Sequence, residues 1–332
     1  LFNMKVLVTG GAGYIGSHVA LSLLEYGYDV TVIDNLCTGN KNLIPNDSEF
    51  INCNINELEK VDSIIKKSNF CAIMHFAGFI RVEESITFPD KYFTNNTRNS
   101  EQLFNICIKN NLSNIIFSST AAVYGNAPHT DLISETTKLK PLNPYGESKA
   151  RTEQYLLKQE AKDINYIILR YFNVAGADPK LRSGLISKNT THLIKIISEV
   201  AVGERDKVII FGNDYNTPDG TAIRDYIHVS DLADIHIKAL EFMIENNKSE
   251  IFNCGYGHGY SVKEVLDVAN KICNNKIKVQ NGKRRVGDAE ILVSDIIKLK
   301  QMIDWTPKYN KLDFIIKTAI DWELKLQNEQ IT

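Results

Sequence analysis

A glycine-rich loop between a predicted strand and a predicted helix constrains the fold of this chain most. Residues 9–16 read TGGAGYIG, directly after an apolar run at 5–9. The glycines fit a dinucleotide fingerprint in two registers, at positions 11, 13 and 16 or at Gly10, Gly13 and Gly16. Such glycines let the backbone approach a pyrophosphate, and the N-terminus of the next helix offers free N–H groups. We predict a phosphate-binding loop, with a purely structural glycine turn as the alternative.

The rest of the first half alternates apolar, β-branched runs with amphipathic stretches, which is typical of βα units on a parallel sheet. The predicted strands span 5–9, 29–34, 50–51, 71–76, 114–118 and 166–171. Later segments predict helices near 191–203, 229–246, 261–273 and 311–326, strands at 208–212 and 251–255, and a turn at Asn281-Gly282.

These elements predict an α/β fold, a Rossmann-like doubly wound parallel sheet with a smaller α/β C-terminal substrate-binding region. We place the dinucleotide-binding domain at 1–173, with later segments near 221–250 returning to it, and the substrate domain mainly at 174–332. Open parallel sheets bind their ligands at the carboxyl ends of the strands.

Composition excludes several classes of protein. The 38 Lys and Arg residues nearly balance the 40 Asp and Glu residues, which argues against a nucleic acid or an anionic membrane as the main partner. No apolar run approaches the roughly 20 residues that span a bilayer. The six cysteines are scattered without zinc spacing, so we predict no metal site and a reducing, cytoplasmic setting. His75, inside an apolar strand, is expected to be a core side chain.

Asp34 ends the second predicted strand, eighteen residues after Gly16. A carboxylate at that place can accept hydrogen bonds from both hydroxyls of a ribose, and it repels a 2′-phosphate. The sequence therefore predicts NAD rather than NADP as the cofactor.

A second constellation lies at 143–149, which reads NPYGESK. Asn143 can cap a helix, Pro144 suits its first position, and Tyr145 and Lys149 then share one helix face. A phenol with a pKa near 10 is a poor base at neutral pH unless a cation stabilises the phenolate. We predict Tyr145 as a catalytic base and Lys149 as that cation; a solvated helix face is the alternative.

Thr120 lies just after the end of a predicted strand, within residues 118–125, SSTAAVYG. Its hydroxyl can hydrogen-bond the reacting oxygen of a substrate and orient the proton that Tyr145 handles. A hydroxyl-rich strand cap is the alternative.

Together these motifs resemble the extended short-chain dehydrogenase/reductase family, and within it the epimerases of UDP-hexoses. The resemblance runs from Met4 to about Trp322 through motifs at 9–16, 34–36, 75–78, 118–125, 145–149, 170–173, 220–229 and 284–288. It implies a tightly bound NAD, the substrates UDP-glucose and UDP-galactose, interconversion at C4 through a 4-keto intermediate, and a homodimer with a four-helix interface.

The resemblance also implies two sets of binding residues. The cofactor would contact Gly10, Gly13, Tyr14, Ile15, Gly16, Asp34, Asn35, Leu36, Cys37, Thr38, Gly39, Asn54, Ile55, Phe76, Ala77, Gly78, Phe79, Ile80, Asn95, Tyr145, Lys149 and Phe172. The nucleotide-sugar would contact Thr120, Tyr145, Asn173, His192, Ile209, Ile210, Phe211, Arg224, the segment from Arg285 to Asp288, and Leu292. Arginine forks at 224 and 285 suit a diphosphate, whereas surface ion pairs with Asp225 or Asp288 are the alternative.

Four positions depart from the pattern of the family. Thr120 stands where many members have Ser, Asn54 where an Asp is common, and Ile80 where some members have Lys. Leu292 falls where side-chain size gates the C2 substituent of the sugar, so activity on the N-acetylated UDP-hexoses stays open.

Three rival functions share this scaffold. A nucleotide-sugar 4,6-dehydratase needs an acid and a base beside the strand-end hydroxyl, and Ala121 and Ala122 cannot exchange protons. No residue distinguishes a decarboxylating or reducing enzyme. A dinucleotide sensor without turnover can lose the Tyr and the Lys, and this chain has both.

Overall fold

The computed structural model describes residues 4–126, 132–159, 164–187, 190–274, 277–285 and 288–330. Its strands are β1 (Lys5–Thr9), β2 (Asp29–Asp34), β3 (Glu49–Asn52), β4 (Phe70–His75), β5 (Asn114–Thr120), β6 (Asn165–Tyr171), β7 (Asn173–Ala175), β8 (Val208–Phe211), β9 (Ile223–His228), β10 (Glu250–Cys254), β11 (Gly259–Ser261), β12 (Val279–Gly282) and β13 (Ile291–Leu292). Its helices are α1 (Tyr14–Glu25), α2 (Leu58–Lys67), α3 (Val82–Thr87), α4 (Pro89–Tyr92), α5 (Asn99–Lys109), α6 (Pro144–Leu157), α7 (Leu193–Ala201), α8 (Val229–Asn246), α9 (Val262–Ile272), α10 (Ile297–Met302) and α11 (Leu312–Glu329).

The central sheet contains seven of the described strands, all parallel, in the order β10-β6-β5-β4-β1-β2-β3. Helices cover both faces, because the strands are apolar on both sides. Val19 and Leu232 belong to the core on the α1 and α8 face, and Leu103 and Leu156 to the core on the α5 and α6 face. The predicted doubly wound parallel sheet is confirmed. From β1 the sheet is extended by β2 and β3 on one side and by β4, β5 and β6 on the other, and this switch between β1 and β4 opens a crevice at the carboxyl ends.

A smaller region follows β6. Its own core includes Ile197 from α7, Val265 from α9 and Ile316 from α11. Between these elements the chain returns to the central sheet, because α8 packs on α1 and β10 pairs with β6. The predicted domain boundary at residue 173 stays a prediction.

The turn predicted at Asn281-Gly282 is wrong. Both residues lie in β12, which pairs parallel with β8, and Gly282 lies opposite Phe211. A Cβ atom on Gly282 would lie 2.8 Å from the Ile209 Cγ2 atom. The glycine therefore permits a close strand approach rather than a hairpin turn.

Two further features bear on function. In the described part of the chain, no helix combines the length and apolar character needed to cross a membrane. The same residues hold no group of three or more His, Cys, Asp or Glu side chains arranged for a metal ion.

Candidate active site

The glycine loop connects the end of β1 to the first turn of α1. Gly10 has a φ of +72°, and a Cβ atom there would lie 2.5 Å from the Ala77 backbone nitrogen. A Cβ atom on Gly16 would lie 2.3 Å from the Gly10 carbonyl oxygen, so both positions require glycine. Gly13 is the N-cap of α1 and supplies no side-chain cap. The N–H groups of the first helical turn, which begins with Tyr14 and Ile15, are thus suited to a pyrophosphate.

Asp34 joins this loop to the segment after β2. Its carboxylate accepts hydrogen bonds from the Ala12 backbone nitrogen at 3.0 Å and from the Leu36 backbone nitrogen at 2.8 Å. Burial raises the pKa of Asp34, and the two backbone hydrogen bonds oppose that change. The oxygens retain lone pairs for the hydroxyls of a ribose.

The segment after Asp34 surrounds that carboxylate. A Cβ atom on Gly39 would lie 3.0 Å from the Asp34 Oδ1 atom. The Cys37 backbone nitrogen donates to the Asn35 Oδ1 atom at 3.1 Å, and Asn35, Cys37 and Thr38 are exposed. This placement suits residues that cover one side of a bound nucleoside.

Two other predicted cofactor residues already have partners within the protein. The Asn54 side-chain oxygen accepts from the Asn56 backbone nitrogen at 3.2 Å. Ile55 is only 4% exposed and packs in the core. The cofactor roles of Asn54 and Ile55 stay predictions.

Residues 76–80 follow β4 and pass between the glycine loop and α6. Phe76 packs against His236 with ring centroids 5.1 Å apart. A Cβ atom on Gly78 would lie 3.5 Å from the Lys149 Nζ atom, so the chain passes close to that amino group. Ile80 is 53% exposed.

Asn96 is a site residue that our sequence reasoning missed. Its side chain accepts from the Phe79 backbone nitrogen and donates to the Phe79 carbonyl, both at 2.8 Å, and it also donates to the Ser148 hydroxyl at 3.2 Å. The predicted cofactor residue Asn95 donates to the Asn96 side-chain oxygen at 3.1 Å. Both asparagines lie in a π-helical segment, Phe93–Arg98, and only their residue type could have suggested this role.

The helix that carries Tyr145 and Lys149, α6, begins as the sequence predicted. Asn143 is its N-cap, with the side-chain oxygen accepting from the Gly146 backbone nitrogen at 2.9 Å, and Pro144 occupies the first turn. A Cβ atom on Gly146 would lie 2.6 Å from the Ala122 carbonyl oxygen. The glycine therefore lets the start of α6 approach the segment that follows β5.

Tyr145 and Thr120 face each other at this contact. Burial raises the pKa of Tyr145, and hydrogen bonding with the Thr120 hydroxyl lowers it. The Thr120 oxygen accepts from the Ala122 backbone nitrogen at 3.2 Å, which leaves the hydroxyl proton for another acceptor. Lys149 is 3% exposed, donates to the Ser118 carbonyl at 2.8 Å, and has its pKa lowered to about 8 by burial.

A buried ion pair between Arg170 and Glu153 contacts the end of β5. The Arg170 Nη2 atom lies 2.6 Å from the Glu153 Oε2 atom, and Glu153 also bonds the Ser119 hydroxyl. Arg170 donates to the Tyr124 hydroxyl at 2.8 Å as well. The arginine of the 170–173 motif is thus a structural residue of this site.

Several residues predicted to contact the nucleotide-sugar lie on β8 and the segments beside it. Side chains alternate between the two faces of a strand, so Ile209 is 40% exposed and Ile210 is only 5% exposed. The Arg285 guanidinium lies 4.8 Å from the centroid of the Phe211 ring. Ile210 can therefore reach a ligand only through its backbone.

The two predicted arginines differ in their partners. Arg285 pairs with Asp288 at 2.9 Å, which is the ion pair that the sequence left open as an alternative. Arg224 donates to the carbonyls of Ile223, Ala289 and Glu290, at 2.9, 2.6 and 3.2 Å. Its neighbour in sequence, Asp225, instead accepts from Tyr256, Gly257 and Ser294. Residues 286 and 287 of this motif lie outside the described residues.

The remaining predicted residues approach the same crevice. Asn173 and His192 line one cavity together with Tyr14. Burial and the charge of Arg285 lower the pKa of His192. Leu292 packs on the cluster that contains Phe172, next to the end of β5.

A model of the NAD-dependent epimerase/dehydratase family matches residues 6–255. The chain belongs to this family. UDP-glucose 4-epimerase of Azospirillum brasilense is 44% identical over 97% of this chain and 93% of its own length. The UDP-Glc/GlcNAc 4-epimerase of Campylobacter jejuni is 43% identical, with a TM-score of 0.84 over 97% of this chain and all of that one.

A second solved structure resembles the whole fold. UDP-glucose-4-epimerase from Stenotrophomonas maltophila, crystallised with NAD and formylated UDP-arabinopyranose, has a TM-score of 0.95 and 31% identity. The superposition covers 98% of this chain and 100% of that one. The likeness therefore extends past residue 255 to the smaller region.

Proposed function

We propose that this protein interconverts UDP-glucose and UDP-galactose at C4, using tightly bound NAD. The observation that carries the proposal is that the start of α6, which bears Tyr145, packs against the carboxyl end of β5, which bears Thr120, with Lys149 bonded to the Ser118 carbonyl. This pair lies at the crevice of a fold shared along its whole length with UDP-glucose 4-epimerases.

The fold offers a matching cofactor site. The first turn of α1 provides N–H donors for the pyrophosphate, and Asp34 provides acceptors for the adenosine ribose. Bound NAD would take a hydride from C4 of the sugar and return it to the opposite face, by way of a 4-keto sugar. No net oxidation follows, so the cofactor is expected to stay bound between turnovers.

Tyr145 accepts the proton of the sugar 4-hydroxyl in this scheme. Because burial raises the pKa of Tyr145, the chain alone does not hold it as a phenolate. The Thr120 hydroxyl opposes the rise, and the Lys149 ammonium, which donates to the Ser118 carbonyl, adds positive charge to the same region. We infer that the positive charge of the oxidised cofactor completes the activation of Tyr145.

The substrate is held by its UDP portion in this proposal. Arg285 and Arg224 face the diphosphate with planar guanidinium groups, and His192 is the N-cap residue of α7, at a helix N-terminus where an anion is favoured. An anchored UDP lets the keto sugar turn over and present its other face.

The rival dehydratase reaction stays disfavoured. It needs an acid and a base beside Thr120, and the next two residues, Ala121 and Ala122, form a 3-10 turn without ionisable side chains.

The interconversion is tested by incubating purified protein with UDP-galactose, without added NAD, and resolving UDP-glucose by chromatography. Failure to interconvert the two sugars even with added NAD would reject the proposed function.

The assembly and location are proposals as well. We infer a homodimer through paired helices, which size-exclusion chromatography with light scattering tests. The six cysteines are free thiols, which supports a location in a reducing cytoplasm. Imaging of a fluorescent fusion in the source cell tests this location, and an exported protein would contradict it.

A further inference from the structure

Glu153 is a buried carboxylate on α6 to which neither the motifs nor the resemblance assigned a role. It follows Lys149 by four residues, and Lys149 follows Tyr145 by four, so the three side chains lie along one face of the helix. The Glu153 side chain is 0% exposed. A buried charge is unfavourable unless it is paired and hydrogen-bonded. Its place beside the groups that we propose to react therefore requires a physical reason.

Glu153 and Lys149 hold neighbouring residues at the end of β5. The Lys149 Nζ atom donates to the Ser118 carbonyl at 2.8 Å, and the Ser119 hydroxyl donates to the Glu153 carboxylate. Thr120 follows directly as the last residue of the strand. Adjacent residues of β5 are thus fixed to adjacent turns of α6, so these two contacts set how the helix lies against the strand end.

Arg170, on the neighbouring strand β6, holds the Glu153 carboxylate from the other side. Arg170 lies opposite Ser119 in the register of β5 and β6. Its Nε atom donates to the Glu153 Oε1 atom at 3.1 Å and its Nη2 atom to the Oε2 atom at 2.6 Å. Both carboxylate oxygens therefore have donors, and the negative charge is fixed in place by a bidentate ion pair.

Four elements surround the Lys149 amino group. The Nζ atom lies 4.9 Å from the centroid of the Phe117 ring on β5, and it lies close to Gly78 in the segment after β4. Burial, with a smaller effect of the Lys149 charge, lowers the pKa of His75 on β4 to about 3, so this imidazole is neutral near pH 8. Burial lowers the pKa of Lys149 itself to about 8, and the charge of Glu153 opposes that change.

We propose that Glu153 is a positioning residue of the reaction, whose carboxylate, fixed by Arg170 and Ser119, keeps Lys149 in the ammonium form that serves Tyr145. The inference rests on the proposed function, in which that positive charge helps Tyr145 to accept a proton. Its physical basis is that a negative charge one helical turn away, inside a medium of low dielectric constant, favours a buried cation. Glu153 touches neither substrate nor cofactor in this scheme and acts through Lys149.

Glu153→Gln tests the role of the charge. The amide keeps the size of the side chain and can still accept from the Ser119 hydroxyl, but the negative charge beside Lys149 is gone. The alkaline decline in kcat should then begin at a pH roughly one unit lower than in the wild type. Because this variant leaves the Arg170 guanidinium unpaired, the double variant Glu153→Gln/Arg170→Gln is measured beside it, and the same shift is expected.

Arg170→Lys is the matched control. It keeps both charges of the ion pair, but it breaks the bidentate contact with Glu153 and the bond to the Tyr124 hydroxyl. The control should lose folding stability, as Glu153→Gln does, and should keep its alkaline decline in kcat near pH 8. A shift confined to the variants that lack the carboxylate supports the inference.

Urea unfolding as a function of pH adds a measurement that does not need turnover. The pKa of Lys149 in the folded protein, about 8, lies below its ordinary value of 10.5, so the free energy of unfolding rises with pH between these two values. In Glu153→Gln this rise should begin roughly one pH unit lower than in the wild type.

Two results would overturn the inference. The first is an alkaline decline and a stability rise that stay in place when the carboxylate is removed. The second is an equal shift in Arg170→Lys, which would make the ion pair a structural element alone. Failure of the proposed function shows differently, because the wild-type protein itself then does not interconvert the two UDP-hexoses. The unfolding profiles then decide by themselves whether Glu153 keeps Lys149 charged.

Discussion

The Lys149 Nζ atom donates a hydrogen bond to the Ser118 carbonyl at 2.8 Å, across the contact between α6 and β5. The two residues join the helix that carries Tyr145 to the strand that ends at Thr120. Lys149 is therefore held in position by the protein itself, beside the residues that we propose to react.

The Lys149 pKa, lowered to about 8 by burial, predicts opposite pH trends for activity and stability. Activity should fall as the pH rises through about 8, because the ammonium charge is lost. Between that pH and the ordinary pKa of 10.5, the unfolded chain holds the proton that the folded chain has released. Folding stability should therefore rise with pH in the same window.

Kinetics and urea unfolding from pH 7 to 10 check this prediction, with Lys149→Met and Lys91→Met as variants. Lys149→Met should lose about 10²- to 10⁴-fold in kcat and lack the alkaline decline. Lys91, an exposed partner of Glu84, should behave as the wild type. An unchanged alkaline decline in Lys149→Met would assign that decline to another group.

Tyr145→Phe should abolish interconversion of UDP-galactose while leaving NAD content and UDP affinity intact. The phenol ring, which packs edge-on against Tyr92 with centroids 6.4 Å apart, is kept, whereas the proton acceptor is removed. The measurements are turnover, the NAD released on denaturation, and titration with UDP. Retained turnover would exclude Tyr145 as the base.

Leu292 should control the response to a C2 N-acetyl group. It is half-buried against the cluster of Phe172, Tyr124 and Ala121, so a larger side chain there would fill space next to the sugar. Leu292→Tyr should lower kcat/KM for UDP-N-acetylgalactosamine more than for UDP-galactose. Leu292→Ala should raise kcat/KM for UDP-N-acetylgalactosamine relative to that for UDP-galactose. Equal effects on both sugars would place the gate elsewhere.

The buried pair of Arg170 and Glu153 should stabilise the fold far more than an exposed pair on the same helix. Glu153→Gln leaves an uncompensated buried guanidinium, at an expected cost of about 3–5 kcal/mol. The control is Glu147→Gln, whose carboxylate pairs with the exposed Arg151 at 2.8 Å, with an expected cost below about 1 kcal/mol. Urea unfolding measures both. Equal losses of unfolding free energy in the two variants would show that the buried ion pair stabilises the fold no more than the exposed pair does.

His75 should make the protein less stable in acid. Burial, with a smaller effect of the Lys149 charge, lowers its pKa to about 3, below the ordinary value of 6.5. Above that ordinary value both states are neutral; as the pH falls from there towards 3, the unfolded chain binds the proton first and stability is lost.

His75→Gln tests this assignment by urea unfolding at pH 7.5 and pH 5. At pH 7.5 the variant should be the less stable protein, because His75 bonds Thr9 at 2.6 Å and Ser100 at 2.8 Å. The difference between the two proteins should shrink at pH 5. A difference in unfolding free energy that is constant or grows at pH 5 would mean that groups other than His75 cause the loss of stability in acid.

Much of the site could be predicted from the sequence because its parts are local. The glycine loop, the Asn143 cap with Pro144 and the i, i+4 spacing of Tyr145 and Lys149 each depend on neighbours within a few residues. His75 is confirmed as a core side chain for a similar reason, since its strand is apolar on both sides. The turn at Asn281-Gly282 failed because a long-range strand pairing with β8 overrode a local preference.

The sequence by itself determined the alternation of strands and helices in the first half of the chain, the dinucleotide loop and the residue types of the candidate site, since periodicity and turn chemistry act over short distances. Only the tertiary structure decided the partners: Lys149 with Ser118, Arg285 with Asp288, Arg170 with Glu153, and the Asn96 side chain with the Phe79 backbone. Those outcomes depend on distances between segments far apart in the chain, which packing sets and no local pattern encodes.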